Sequence, residues 1–185
     1  MPYKEDDPPA HNARTVIESL VDIVSKNGNL LMNVELYPDG SIPDPQRRIL
    51  EEVGAWLRIN GEAIYDTRPW KVFGQVAAGS GAPVGRHDFN ERTVKSPPYA
   101  SDEVRFTTHG TSLYAIVLNP RPGRLLIRPL GLAAETKPGR VNRVALLGHQ
   151  GEIPFQQTPE GLTVTLPDRL PTLYAAAFRI EGVIR

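Results

Sequence analysis

The stretch LVDIVSKNGNLLMNVELYPDGSIPDPQRRILEEVGAWLRINGEAIYDTRPW, residues 20–70, decides how this chain is read. It continues a pattern that begins at residue 13, where Val16, Ile17, Leu20, Val21 and Val24 recur at helical spacing. Asn27-Gly28 then supplies a left-handed stop, so a helix is predicted over residues 13–27. Residues 29–34 follow as a short, nearly continuous apolar run with Leu30, Leu31, Met32 and Val34. Such a run predicts a strand covered on both faces, as in a parallel sheet, with a buried helical turn as the competing reading. Pro38-Asp39-Gly40 is a turn, and Asp44-Pro45 reads as an N-cap followed by proline in the first helical turn. The helix so begun puts Ile49, Leu50, Val53, Trp56 and Leu57 on one face and ends near Asn60-Gly61. Helix, strand and helix make one α/β unit, the order expected at the end of a large α/β barrel.

Beyond Trp70 the periodicity changes. Residues 71–101 are broken by Gly, Pro and Ser clusters, among them Gly79-Ser80-Gly81 and Pro97-Pro98, and read as a long connection with room for one or two edge strands. Short β-rich runs then repeat at 104–107, 113–118, 125–129, 141–147, 162–166 and 173–180. His109-Gly110, Pro122-Gly123 and Glu160-Gly161 separate several of them, which predicts an antiparallel β-sandwich. The fold expected is therefore α+β: residues 1–67 form the incomplete end of a (β/α)8-type barrel, and residues 68–185 form the sandwich. Because its strands pair among themselves, the sandwich is expected to fold without the helices.

Composition sets outer limits. The 185 residues include 40% hydrophobic and 23% charged ones, an ordinary globular balance that argues against disorder. Twenty-one basic residues offset twenty-one acidic ones, so no net field favours nucleic acid or an anionic membrane as partner, and a neutral substrate fits better. The absence of cysteine removes disulfides, thiolate nucleophiles and cysteine-ligated metals. No apolar run approaches the length of a membrane span. The opening MPYKEDDPPAHN lacks the apolar core of a signal peptide and reads as a loop cut in mid-course.

Residues 20–68 resemble the end of the catalytic barrel of the α-L-fucosidases of glycoside hydrolase family 29. The resemblance rests on Gly28-Asn29-Leu30-Leu31 before Asn33, then Pro38-Asp39-Gly40, then Trp56-Leu57 with Asn60-Gly61-Glu62-Ala63-Ile64-Tyr65. The second half is similar to that family's C-terminal sandwich, through Val104-Arg105-Phe106-Thr107, Leu113-Tyr114-Ala115-Ile116-Val117-Leu118, Leu146-Leu147-Gly148 and Gly161-Leu162-Thr163-Val164-Thr165-Leu166-Pro167. It implies an exo-acting retaining glycosidase whose substrate is a fucosylated glycan. It implies too that the aspartate nucleophile and the glutamate acid/base lie upstream of this segment, so no catalytic residue is expected in this chain and the isolated chain should be inactive. Retention needs two carboxylates about 5–5.5 Å apart, and a whole barrel takes about 250 residues, against one barrel strand read here.

Barrel active sites form at the C-terminal ends of the strands, which makes Asn33, Glu35 and Tyr37 the substrate-pocket candidates. The Asn33 amide is suited to a sugar hydroxyl or to tying down its loop. Glu35, standing where many family members have Gly-Pro, departs from the commonest pattern; it either orients substrate or is a loop carboxylate paired with an arginine. Met1-Pro2-Tyr3 only echoes a Trp-Gly-Tyr motif of the family.

The remaining features carry less. His11, His87, His109 and His149 lie far apart and show no metal-ligand spacing, and Glu5-Asp6-Asp7 lacks the alternation and glycine of a calcium loop. Gly79-Ser80-Gly81 is too short to cradle a phosphate, and neither metal nor cofactor is expected. Trp56 belongs to the core by periodicity, while Trp70 is expected to pack the sandwich against the barrel. Arg121, Arg124, Arg128 and Arg140 fall on turns and strand edges, where solvation and edge protection account for them. The alternative function is a stand-alone carbohydrate-binding or interaction sandwich, which calls for an exposed row of aromatics; Tyr114, Phe155, Tyr174 and Phe178 mostly read as core instead.

Overall fold

The computed structural model describes residues 11–77 and 93–184, so Tyr3, Glu5-Asp6-Asp7, Gly79-Ser80-Gly81 and His87 lie outside the described residues. Helix α1 spans Ala13–Ser25 and helix α2 Asp44–Asn60. Eight strands follow: β1 Arg68–Gln75, β2 Val104–His109, β3 Ser112–Val117, β4 Gly123–Ile127, β5 Arg143–Leu146, β6 Phe155–Gln157, β7 Leu162–Leu166 and β8 Ala176–Glu181. They form two antiparallel sheets, one ordered β1-β2-β3-β8-β5 and the other β4-β7-β6. The expected sandwich is present.

Alternation along the strands divides the apolar residues into two cores. Phe106, Leu113, Ala115, Phe178 and Ile180 of the larger sheet face Leu125, Ile127, Leu162 and Val164 of the smaller one. The opposite face of the larger sheet is not solvated. Tyr114, Ile116, Leu118 and Ala177 meet Ile17, Val21 and Trp56 of the helices in a second core. The molecule is thus layered helix, sheet, sheet, and the helices close the outer face of the sandwich.

Polar contacts lock the helical layer in register. The Trp56 Nε1–H donates to the Ala175 carbonyl at 2.7 Å, the Ala177 N–H donates to Asn60 Oδ1 at 3.2 Å, and the Thr107 hydroxyl donates to the Ala63 carbonyl at 2.7 Å. Arg105 of β2 is buried at the same junction, with Nε 2.6 Å from Asp22 of α1 and a second nitrogen 3.5 Å from Glu103. Phe73 and Tyr99 flank its guanidinium, each ring centroid 5.4 Å away. The sandwich thus takes a buried charge partner from the helices, a cost set against its expected folding without them.

Other expectations are corrected locally. Residues 29–34 do not form a strand, because no described strand pairs with them to accept or donate ladder bonds, and Leu31 is 88% exposed. Asp44 is not the N-cap of α2. Pro43 occupies that position in extended conformation, and the Asp44 carboxylate takes Arg47 at 2.8 Å instead. The connection read from residue 71 contains most of β1, an eight-residue edge strand with an irregularity between Pro69 and Gly74. Gly74 is required there, since a Cβ would sit 2.3 Å from the Val104 carbonyl oxygen. Trp70 packs inside the sandwich, edge-on to Phe106 at 5.2 Å, and not between sandwich and helices, because its parity along β1 turns it to the inner face. Phe155 lies on the three-residue β6 and is exposed, while Tyr174 precedes β8 and reaches the helices.

Candidate functional site

The segment carrying Asn33, Glu35 and Tyr37 is held at both ends by helix termini. At its start, the N–H groups of Lys26 and Gly28 donate to the Ile23 carbonyl, and Asn27 adopts φ 67°, the left-handed conformation that turns the chain away from α1. From there exposure alternates: Leu30, Met32 and Val34 are half-buried, whereas Leu31, Asn33 and Glu35 are exposed. Asn33 and Glu35 therefore share one side, two residues apart. Tyr37 follows at the same parity but is half-buried.

A tight turn closes the segment. The Gly40 N–H donates to the Tyr37 carbonyl at 2.9 Å, the Tyr37 N–H donates to the Ser41 carbonyl at 2.9 Å, and Gly40 has φ 84°. Asp39 Oδ1 accepts both the Ser41 hydroxyl at 2.7 Å and the Ser41 N–H at 2.9 Å. Those bonds, the hydroxyl first, hold the Asp39 carboxyl below its ordinary range.

Glu35 is engaged by a residue that the sequence reading passed over. Gln46, in the first turn of α2, accepts the Glu35 N–H at 2.8 Å and donates from Nε2 to the Glu35 carboxylate at 3.1 Å. A glutamine in the third helical position ordinarily reaches back to the N–H of the cap residue. Here the cap is Pro43, which has none, so the Gln46 amide is available to the neighbouring chain. The signal was present in the sequence as Pro43 three residues before Gln46. Glu35 is thus tied to an amide and not to an arginine among the described residues.

Other candidates are dispersed. His11 precedes α1, His109 ends β2 and His149 follows β5, and no cluster of three or more metal-ligating side chains occurs among the described residues. No described helix is long and apolar enough to cross a membrane. The exposed aromatics Tyr65 and Phe155 stand on different layers, one after α2 and the other on β6, and make no sugar-stacking row. Tyr174 lies against the helices, its hydroxyl donating to the Glu52 carboxylate and Arg14 lying 5.7 Å from its ring centroid. Burial first, and then the bond to Glu52, push its hydroxyl up to about 12.

Comparison with known proteins places both halves together. Residues 2–62 match the family model described as alpha-L-fucosidase, and residues 98–181 match that described as the alpha-L-fucosidase C-terminal domain. The tissue alpha-L-fucosidase of Bos taurus is 34% identical over 181 residues, a match covering 93% of this chain and 32% of that protein. The tissue alpha-L-fucosidase of Homo sapiens is 33% identical over 166 residues, covering 88% of this chain and 29% of that one. Among solved structures, alpha-L-fucosidase isoenzyme 1 from Paenibacillus thiaminolyticus superposes with a TM-score of 0.70 at 28% identity, covering 98% of this chain and 37% of its own. The Thermotoga maritima alpha-fucosidase in complex with fucose gives a TM-score of 0.70 at 28% identity, covering 97% and 37%. The chain spans about a third of the length of the curated relatives it matches.

Proposed function

From the premise that this chain belongs to the α-L-fucosidase family, we propose that it is the C-terminal portion of an exo-acting, retaining enzyme that hydrolyses terminal α-L-fucosyl linkages of glycans. In this reading residues 1–67 complete a barrel begun upstream, and residues 68–185 brace it from outside. The nucleophilic aspartate and the acid/base glutamate come from the upstream part, one attacking the anomeric carbon and the other protonating the leaving oxygen.

The observation that carries this reading is the condition of residues 29–36. The run is composed as a buried strand, yet Leu31 is 88% and Leu36 54% exposed, and its backbone pairs with no described strand. Neighbouring barrel strands would cover those side chains and pair that backbone. Asn33, Glu35 and Tyr37 would then stand at the pocket rim, with Gln46 fixing the direction of Glu35.

The test is hydrolysis of 4-nitrophenyl α-L-fucoside by the 185-residue chain beside the same chain extended upstream through the barrel. Turnover is expected only in the extended form. In that form Asn33→Ala, Glu35→Gln and Tyr37→Phe should each lower kcat/KM about tenfold, the loss of one hydrogen bond to substrate. Turnover by the short chain alone would overturn the proposal, and unchanged kcat/KM in all three variants would remove these residues from the pocket.

A further inference from the structure

The chain has no net charge, yet three of its arginines line one cleft between β4 and the loop before β2. Arg121, Arg124 and Arg128 border it, together with Ser101, Asp102 and Leu126. All three arginines are exposed, and none pairs with a carboxylate among the described residues. At about 260 Å³ the cleft falls just below the ~300–1,000 Å³ of sites for drug-sized ligands, a size that suits an ion or a single sugar ring.

The walls are fixed. Arg124 and Leu126 alternate along β4 with the buried Leu125 and Ile127, so they turn away from the core, and Arg128 follows as the exposed first residue of a short 3-10 helix, Arg128–Leu130. Arg121 precedes the Pro122-Gly123 turn, where Gly123 adopts φ 106°, a conformation glycine reaches without strain. Across the open edge of β4, the buried Gln75 of β1 donates from Nε2 to the carbonyls of Asp102 at 2.8 Å and Leu126 at 3.0 Å, and accepts the Arg128 N–H at 2.8 Å. One side chain thus joins the loop before β2 to the end of β4 and to Arg128 just beyond it. Edge protection needs charge alone; it does not need a cleft braced in this way.

We propose that this cleft binds an oxyanion, a sulfate or phosphate group, either free or ester-linked to a sugar. Guanidinium groups present paired donors that match such oxygens, and three of them outweigh the one carboxylate of Asp102. Ser101 adds a neutral hydroxyl at the rim. The site is separate from the fucosidase reading, and neither depends on the other.

The experiment is titration of the whole chain, at low ionic strength, with inorganic sulfate, inorganic phosphate, galactose 6-sulfate and galactose, followed by amide NMR shifts and calorimetry. Saturable binding of at least one anion is expected, with shifts centred on residues 101–102 and 121–128. Arg124→Ala/Arg128→Ala should weaken it about tenfold or more, and Asp102→Asn should tighten it. Tighter binding of galactose 6-sulfate than of inorganic sulfate would identify an ester-linked ligand, and the reverse a free ion. The Arg124→Lys/Arg128→Lys variant keeps the charge and should bind with intermediate affinity, a check that holds even where the alanine pair lowers the melting temperature. No saturable binding by any anion, galactose binding as well as its sulfate, or affinity unchanged in the arginine variants would overturn the proposal.

Discussion

Two apolar runs of this chain look alike and end in opposite states. Leu30-Leu31-Met32, leading to Val34, pairs with no described strand, and Leu31 is 88% exposed. Leu113-Tyr114-Ala115-Ile116-Val117-Leu118 carries the central strand β3, where every one of these side chains is buried. Both compositions ask for cover on two faces. Only β3 receives it, because β2 and β8 pair with its edges, the smaller sheet covers one face and the helices cover the other. An unbroken apolar run therefore states what a strand needs, and its neighbours determine whether it becomes one.

The sharpest way to break the comparison is to uncover β3 on one side. Deleting residues 1–66 strips Ile17, Val21 and Trp56 from Tyr114, Ile116 and Leu118 and leaves Arg105 without Asp22. The expected result, read by thermal denaturation and solubility, is a fall in melting temperature larger than any single substitution produces; an unchanged transition would establish the sandwich as an independent unit. Asp22→Ala alone should cost about 3–5 kcal/mol in urea unfolding, since it leaves the Arg105 charge buried with its closest partner gone. Ile116→Ala, which opens the face of β3 that meets the helices, should cost about 2–5 kcal/mol.

Alkaline pH loosens the same junction by a smaller amount. The Tyr174 hydroxyl is raised from 10.0 to about 12, so the folded chain keeps this proton where the unfolded chain loses it. Its contribution is complete below pH 10 and disappears as pH climbs from there toward 12. Burial raises the Tyr114 hydroxyl too, in the same direction. In Tyr174→Phe, urea unfolding followed against pH should show a shallower decline across that window, and an identical slope would place the dependence elsewhere. The smallest effect is expected at the other run. Leu31→Ala should change the stability of this chain by no more than about 0.5 kcal/mol, because an exposed side chain gives up little on truncation. A cost comparable to that of Ile116→Ala would mean that Leu31 is covered in solution.

Local chemistry explains what was legible in advance. The α1 stop at Asn27-Gly28, the Pro38-Asp39-Gly40 turn and most strands of the sandwich depend on residues close in sequence, whose backbone preferences act over a few bonds. The short β6 was missed because three residues hold too little pattern, and the edge strand allowed for after Trp70 was left without bounds because Pro69 and Gly74 interrupt the alternation of β1. At the candidate site, the positions of Asn33, Glu35 and Tyr37 could be picked out, but the grip of Gln46 on Glu35 joins residues eleven apart and depends on a proline cap that reading Asp44 as the cap had hidden.

By itself the sequence determined the antiparallel sandwich, the two helices that precede it and the family, since composition, periodicity and local motifs are properties of the chain alone. Tertiary structure alone decided that the helices close the outer face of the sandwich, that Trp70 turns inward to Phe106, and that residues 29–34 stay unpaired while β3 is enclosed. The reason is that burial and strand pairing are completed by partners distant in sequence, and the same apolar residues satisfy several arrangements until those partners are in place.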